Sequence, residues 1–216
     1  MFLFHVAGTL RRGVMRQDPP TVFIVDDDEA VRGSMKLLLK TLGLATQAFA
    51  SAQEFLATFN KDRAGCLLLD IRMPGMSGLE LQEELNDRGA MLPIIFITGH
   101  GDVPMAVEAM QCGAMDFLQK PFRDQDLLDR ITKALEKDRA GRDVLGNRER
   151  IGVRIATLTP REREVMTLVT QGKANKVIAA DLNLSQRTVE IHRAHVMEKM
   201  GANSLAHLVR MVIEVQ

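Results

Sequence analysis

Short apolar runs alternate with helical segments through the first half of this chain. Five runs are predicted as strands: Thr21–Asp26, Leu44–Phe49, Cys66–Asp70, Pro93–Thr98 and Met115–Gln119. The first of them is a short β-branched apolar run, which is typical of a strand buried on both faces. Segments with helical periodicity separate or follow them. Such alternation predicts an α/β fold, with a parallel sheet, helices on both of its faces and right-handed crossovers.

Residues with a capping preference mark where some of these helices begin. Asp28 directly precedes the first helical segment. The sequence Ser51-Ala52-Gln53-Glu54 has the spacing of a capping box, in which Ser bonds the backbone N–H three residues on and Glu reaches back to the cap. Further helices are predicted to start near Ser77, Val103 and Arg123.

The charge is distributed unevenly along the 216 residues, although lysines and arginines balance aspartates and glutamates at 28 each. Residues 21–138 carry a net charge of −7, and residues 139–216 carry +5. An acidic front half and a basic back half predict two domains, the second facing a polyanion. We therefore divide the chain into an N-terminal extension (1–20), an α/β domain (21–138), a linker (139–156) and a basic domain (157–216).

The first residues do not resemble a secretory signal, because Arg11 and Arg12 follow the apolar stretch instead of preceding it. We expect a loose extension, or a translation start at Met15. The sequence contains no apolar run of the roughly 18 residues that a membrane span needs. Cys66 and Cys112 are too few for a disulfide framework and have no metal-binding spacing, so we expect a reducing compartment, the cytoplasm.

Polar residues stand where the predicted strands end. The first strand ends in Asp26, Asp27 and Asp28, the third ends in Asp70, the fourth ends in Thr98, and Lys120 follows the fifth. In a doubly wound sheet the carboxyl ends of the strands carry the chemistry. Converging carboxylates favour a hard divalent cation such as Mg²⁺, and a carboxylate beside it can act as a nucleophile toward a phosphoryl group. A hydroxyl and an ammonium would contact the phosphoryl oxygens, so the pattern predicts a phosphoryl-transfer site.

Four sequence segments resemble the receiver domain of two-component response regulators, most closely the FixJ-like group: VDDDEAVR, LLLDIRMPGMSG, FITGHGDVPMAVEAM and DFLQKPF. The resemblance covers Pro20 to Lys137. It implies a CheY-like, flavodoxin-like receiver with a five-stranded parallel sheet in the order 2-1-3-4-5. It also implies a cis peptide bond between Lys120 and Pro121.

The resemblance assigns a role to each residue at the strand ends. Asp70 would accept a phosphoryl group from a sensor histidine kinase, and Thr98 and Lys120 would contact that group. Mg²⁺ would be held by Asp70, by Asp27 directly, by Asp26 through water and by the backbone carbonyl of Arg72. Phe117 stands at the aromatic switch position, where many relatives have Tyr, and Arg72 and His100 would flank the path of the hydrolytic water.

The basic half predicts four helices. The first starts at Thr159-Pro160-Arg161-Glu162, with a cap, a proline at the first helical position and a glutamate at the third. The others are predicted at Asn175–Leu182, Gln186–Met200 and Ser204–Val215. Two helices joined by a short turn, the second bearing basic residues, are typical of a helix-turn-helix that binds double-stranded DNA.

Leu158–Met211 resembles the four-helix DNA-binding domain of NarL and LuxR, most clearly at LTPREREV, NKVIAADLNLSQRTVEIHRAHVMEKM and SLAHLVRM. On the third helix, arginines could meet phosphates or guanine edges, Glu190 a cytosine amino group, and Ile191 a thymine methyl. Lysines would contact the DNA backbone. The candidate DNA contacts are Lys173, Lys176, Arg187, Thr188, Glu190, Ile191, Arg193, Ala194 and Lys199. Many relatives have Lys where Glu190 stands, so base preference cannot be transferred.

Together the two resemblances predict a transcriptional regulator without enzymatic activity. Phosphorylation would repack the face formed by Val103–Gln111 and Met115–Gln119, where relatives dimerise, and the homodimer would bind a two-fold operator and RNA polymerase. Whether phosphorylation acts by dimerisation or by releasing the DNA-binding domain stays open.

Two alternatives remain. A haloacid-dehalogenase-type phosphatase would use Asp26-Asp27-Asp28 as its Asp-x-Asp signature, but it needs an acidic pair at a further strand end, and here a helix follows Lys120. It would also leave Asp70 and the basic half without a role. The other alternative is a regulator that binds DNA without phosphorylation.

Overall fold

A computed structural model describes residues 19–99 and 103–215 of the chain. Most of the predicted N-terminal extension, and His100, lie outside the described residues. The strands are β1 (Thr21–Val25), β2 (Ala45–Phe49), β3 (Gly65–Asp70), β4 (Ile94–Thr98) and β5 (Asp116–Gln119). The helices are α1 (Glu29–Thr41), α2 (Ala52–Thr58), α3 (Gly78–Asp87), α4 (Val103–Gln111), α5 (Asp124–Ala156), α6 (Pro160–Thr170), α7 (Asn175–Leu182), α8 (Gln186–Met200) and α9 (Leu205–Glu214).

The five strands form one parallel sheet in the order β2-β1-β3-β4-β5, which confirms the predicted topology. Val25 pairs with Leu69, and Asp70 pairs with Ile97. This register brings the carboxyl ends of β1, β3 and β4 to one edge of the sheet. The order reverses between β1 and β3, so the ends of these two strands flank the position where doubly wound sheets bind ligands.

Alternate residues of the central strands enter two separate apolar layers. Leu67, Leu69 and Phe96 face the layer covered by α2 and α3, whereas Leu68 and Ile95 face the layer covered by α1 and α5. All five side chains are completely buried. Each contributes about 1.5–3 kcal/mol of transfer free energy, so burial on both faces fixes the strand register.

Side-chain caps define several helix starts. Asp28 accepts hydrogen bonds from two backbone N–H groups of the first turn of α1, and Ser77 forms a complete capping box with Glu80. At α2 the predicted box is only half formed. Ser51 accepts from the backbone N–H of Glu54, but the Glu54 carboxylate accepts from the N–H of Ala50 at 2.7 Å, one residue before the cap.

The chain divides into two compact units, with the boundary between Arg139 and Ala140. The segment 139–156, predicted as a linker of undetermined stiffness, is helical in the structure and belongs to α5. Its glycines do not interrupt the helix, because the segment packs within the second unit. Ile151 is buried in the core of that unit, and Arg154 donates to the carbonyl of Met200 at 2.7 Å.

The second unit contains the four predicted helices in order. The Thr159 capping box is present, with Pro160 at the first helical position. Val165, Val189 and Met200 are completely buried in the common core. No helix in residues 19–99 or 103–215 is long and apolar enough to cross a membrane.

Candidate functional site: an acidic pocket and a helix-turn-helix

Two carboxylates and one ammonium group meet at the carboxyl edge of the sheet. Lys120 Nζ lies 2.8 Å from Asp26 Oδ2 and 2.8 Å from Asp70 Oδ1. Backbone N–H groups bind the remaining carboxylate oxygens. The N–H of Asp28 donates to Asp26 Oδ1 at 2.9 Å, and the N–H of Arg72 donates to Asp70 Oδ2 at 2.8 Å. The carboxylates are therefore oriented, and Asp26 and Asp70 are both buried.

The charges of this cluster do not balance. Burial raises the pKa of Asp70 and the negative charge of Asp26 adds to this, while the Lys120 ammonium and the Arg72 N–H lower it without cancelling the rise. Burial lowers the pKa of Lys120, but its hydrogen bonds and Coulombic attraction to both carboxylates raise it by more. Two carboxylates facing one ammonium leave an excess negative charge, which favours the approach of a further cation.

Glycine at position 78 brings α3 against the carboxyl end of β3. A Cβ at Gly78 would lie 2.3 Å from the Asp70 carbonyl oxygen and 3.0 Å from Phe96 Cε1. The Gly78 N–H donates to the carbonyl of Ile71 at 2.9 Å. The motif LLLDIRMPGMSG contains this glycine, but its contact with the main chain of Asp70 could not be predicted from spacing.

Thr98 and Lys120 are neighbours across β4 and the end of β5. Thr98 is buried and pairs with Gln119, and its carbonyl accepts the N–H of Lys120 at 2.7 Å. The Lys120–Pro121 peptide bond is cis. The structure therefore brings Asp26, Asp70, Thr98 and Lys120 to one edge of the sheet.

Asp27 is exposed, whereas Asp26 and Asp70 are buried. Among the described residues, no three His, Cys, Asp or Glu side chains are grouped closely enough to hold a metal ion. Lys120 forms ion pairs with both Asp26 and Asp70 and neutralises part of their charge. The donor chemistry still fits a hard divalent cation, since two buried carboxylates reach one point and an excess negative charge remains.

Apolar side chains of α4 and β5 are exposed. Val107 and Met110 on α4 and Phe117 on β5 are 52%, 40% and 41% exposed. Phe117 pairs with Phe96 of β4, two residues before the Thr98–Gln119 pair. The aromatic ring predicted as the switch is thus outward in this structure.

The second unit presents a helix-turn-helix. Asn183 ends α7 in the left-handed conformation (φ 56°), which Asn tolerates, and Ser185 caps α8 through the backbone N–H of Thr188. Val189 and Val196 anchor one side of α8 in the core. The opposite side exposes Arg187, Glu190, Ile191 and Ala194, four of the predicted DNA contacts.

Four other predicted DNA contacts make bonds within the unit. Lys173 forms an ion pair with Asp181 at 2.7 Å, and half-buried Arg193 donates to Asn175 Oδ1. The Thr188 hydroxyl lies 2.8 Å from Ser185 Oγ. Lys199 pairs with Glu162 at 2.6 Å, so a phosphate contact by Lys199 would compete with a buried carboxylate. Lys176 is exposed at the start of α7.

Comparison with known proteins identifies both units. Residues 22–132 match the response regulator receiver domain, and residues 156–212 match the luxR family of bacterial regulatory proteins. The transcriptional regulatory protein FixJ of Rhizobium meliloti is 50% identical over 193 residues, which cover 89% of this chain and 95% of FixJ. This chain is a two-component response regulator. It combines a receiver with a LuxR-type DNA-binding domain and is a transcriptional regulator.

Two further relatives match most of this chain. Nodulation protein W of Bradyrhizobium diazoefficiens is 50% identical over 190 residues, covering 88% of this chain and 84% of that protein. The solved structure of the response regulator StyR superimposes with a TM-score of 0.84 at 43% identity, covering 91% of this chain and 99% of StyR.

An ion pair in the DNA-binding unit of the regulator joins exposed Lys199 to buried Glu162. The Lys199 ammonium and the Thr159 N–H hold the pKa of Glu162 down, from its ordinary value of 4.5 to about 2, although burial opposes the shift. His195 Nδ1 lies 3.6 Å from the same carboxylate. The capping box predicted the bond to Thr159, but nothing local predicted a partner 37 residues away.

We expect this unit to lose stability as the pH falls from about 4.5 to about 2. Because the pKa is lower in the folded state, the stabilisation is complete above the unfolded value and is lost as Glu162 takes up a proton. Glu162→Gln should cost about 2 kcal/mol at pH 7 and flatten the curve over this interval. Amide exchange of α6 and α8 peptides from about pH 7 to about pH 2, corrected for the intrinsic exchange rate, measures this loss of stability. If the stability of Glu162→Gln falls as steeply with pH as that of the wild type, Glu162 is not the group responsible for the loss.

Proposed function

We propose that this regulator is switched by phosphorylation of Asp70, with a sensor histidine kinase as the donor. The observation that carries the proposal is the convergence of Asp70 with Asp26 and Lys120 at the strand ends, with Thr98 buried at the end of the adjacent strand. The backbone N–H of Arg72 orients one Asp70 oxygen, and the other faces the ammonium. This pre-organisation is what an acceptor carboxylate requires.

The transfer exchanges a P–N bond for a P–O bond. A carboxylate oxygen of Asp70 attacks the phosphorus of the kinase phosphohistidine, and the imidazole leaves and takes up a proton. Lys120, already within hydrogen-bond distance of Asp70, stabilises the charge on the phosphoryl oxygens. Thr98 donates its hydroxyl to one of them. No side chain of the regulator needs to act as a general base, because carboxylate Asp70 is already deprotonated when it attacks.

Mg²⁺ would be held by Asp26, Asp27, Asp70 and the backbone carbonyl of Arg72. When bound, it supplies positive charge that neutralises the oxygens of the transferring group. The excess negative charge of the pocket supports this assignment. Asp27, exposed beside the pocket, would complete the set of carboxylates.

Phosphorylation would change the α4–β5 face by local electrostatics. The new negative charge draws the Thr98 hydroxyl toward the phosphoryl group, and the space behind Thr98 accepts the Phe117 ring. An exposed apolar face with Val107, Met110 and Phe117 supports dimerisation of the phosphorylated regulator through this surface. The homodimer would place two α8 helices in successive major grooves and present a surface to RNA polymerase.

Light scattering after treatment with acetyl phosphate and Mg²⁺ tests this proposal. The wild-type regulator should change from monomer to dimer, whereas Asp70→Asn should stay monomeric. Val107→Glu should take up the phosphoryl group and remain monomeric, because a charge then faces its copy across the two-fold axis. Leu37→Glu, at an exposed apolar residue of α1, is the matched control and should dimerise normally. A phosphorylated wild type that stays monomeric would favour release of the DNA-binding domain. If DNA affinity is then measured and is equal with and without the phosphoryl group, the phosphorylation-independent alternative would be favoured.

We expect Arg187→Ala to weaken DNA binding by about 1–3 kcal/mol, measured on a DNA site selected for tight binding to the wild-type regulator. The Arg187 side chain is 82% exposed, and within the described residues it is held only by a 3.5 Å contact with Glu190. It can therefore meet a guanine edge or a phosphate. Fluorescence anisotropy at several salt concentrations distinguishes a guanine contact from a phosphate contact. If Arg187 contacts a phosphate, its removal should lower the slope of log affinity against log salt concentration by about one. Arg148→Ala, an exposed arginine of α5, is the control. Equal losses in both variants would place the interface elsewhere.

A further inference from the structure

Two side-chain amides of α3 hold the C-terminal end of α4. Gln82 Nε2 donates to the carbonyl of Ala109 at 3.0 Å, and Asn86 Nδ2 donates to the carbonyl of Cys112 at 3.0 Å. Gln82 and Asn86 are four residues apart and therefore lie on the same side of α3. Both bonds reach the same end of α4, the helix whose outer face carries Val107 and Met110.

The bond from Gln82 is not needed to satisfy the Ala109 carbonyl. This oxygen also accepts the backbone N–H of Ala114 at 3.0 Å. Gln82 itself is 1% exposed, and within the described part of the chain its Oε1 has no hydrogen-bond partner. An unpaired buried oxygen costs about 1–3 kcal/mol, so an apolar side chain of similar size would suit this position at least as well for stability. The amide instead specifies where α4 ends.

The other end of α3 is fixed at the phosphoacceptor. Gly78 packs against the carbonyl of Asp70 and donates to that of Ile71. Leu81 and Leu85, both almost completely buried, attach the body of α3 to the sheet. Therefore α3 is fixed to the acidic pocket at its N-terminal end and to the sheet along its length. Its two side-chain amides then connect it to α4.

We propose that Gln82 and Asn86 are positioning residues that fix the C-terminal end of α4 as a pivot. The inference rests on the proposed phosphorylation switch, because it states how the displacement of Thr98 is transmitted. With residues 108–112 held by α3, the displacement is delivered to the N-terminal part of α4, from Val103 to Val107. The helix rotates about its fixed end, and Val107 changes position more than Met110.

Hydrogen exchange of the full-length regulator tests the pivot before any phosphorylation. In Gln82→Met, peptides that cover residues 108–114 should exchange about two- to tenfold faster, the equilibrium effect of one net hydrogen bond. The melting temperature should stay equal or rise, since the unpaired Oε1 is gone and Ala109 keeps its bond from Ala114. Leu81→Met brings the same side chain into the same core layer without removing the amide, and it should leave this exchange unchanged. Unchanged exchange in Gln82→Met would overturn the proposal.

The same measurement with acetyl phosphate and Mg²⁺ tests the transmission. This comparison uses Val107→Glu, which is expected to take up the phosphoryl group and remain monomeric, so that dimerisation does not itself protect Met110. In Val107→Glu, phosphorylation should change exchange in residues 103–107 and leave 108–114 unchanged. When Gln82→Met and Asn86→Ala are added to Val107→Glu, the change should spread over the whole of α4. An identical pattern in both proteins would overturn the pivot. A wild type that takes up no phosphoryl group would instead overturn the proposed function, while the comparison without phosphorylation would still decide whether the amides hold α4.

Discussion

Replacing Lys120 by Met should destabilise the receiver by about 3 kcal/mol at pH 7 in the absence of divalent cations. The Lys120 ammonium is the shared partner of Asp26 and Asp70, whose side chains are only 2% and 11% exposed. Without it, two buried carboxylates face each other uncompensated. Amide exchange of β1 and β3 peptides in the full-length protein reports the free energy of opening of this unit.

Millimolar Mg²⁺ should restore much of this loss, because a divalent cation can take the place of the missing positive charge. Lys133→Met, at an exposed lysine of α5, serves as the control and should change stability by less than about 0.5 kcal/mol. Two results would contradict electrostatic coupling of Asp26 and Asp70 through the Lys120 ammonium. One is a Lys120→Met variant as stable as the wild type, and the other is equal stabilisation of both proteins by Mg²⁺.

Replacing Gly65 by Ala should cost at least about 3 kcal/mol and disrupt the acidic pocket. A Cβ at this position would lie 1.9 Å from the carbonyl oxygen of Thr21, which is its pairing partner on β1. The clash is with backbone, so no rotamer change relieves it, and β1 and β3 must separate. Since β3 ends at Asp70 and β1 ends directly before Asp26, phosphorylation should also become slower, as intact mass measured against time would show.

Gly33→Ala is the matched control for this prediction. Gly33 lies on the exposed side of α1, and a Cβ there would meet nothing within 4 Å. The substitution should stabilise the receiver by about 0.5–1 kcal/mol by lowering the entropy of the unfolded chain. A destabilisation of Gly65→Ala no larger than that of an average surface substitution would contradict the close approach of β1 to β3.

The sheet and its acidic edge follow from local sequence patterns. Buried strands such as Ile94–Thr98 are continuous apolar runs, and capping residues such as Ser77 and Thr159 mark helix starts by local hydrogen bonds. Strand ends and helix starts together place Asp26 and Asp70 at one edge, because parallel strands share their carboxyl ends.

Contacts between distant residues could not be predicted in the same way. Gly65 donates to the buried Asp138 carboxylate across 73 residues, and Glu162 binds Lys199 across 37. Both depend on tertiary packing, and neither leaves a periodic signal. The helical segment 139–156 is a similar case, because its three glycines disfavour helix locally, while burial of Ile151 favours it.

The most direct test of phosphorylation at Asp70 is the intact mass of the regulator after acetyl phosphate and Mg²⁺, for the wild type and Asp70→Asn. We predict that the wild type gains one phosphoryl group and that Asp70→Asn gains none. A phosphoryl group of equal occupancy on Asp70→Asn would place the acceptor elsewhere. No phosphoryl group on either protein, with DNA still bound, would contradict control by phosphorylation.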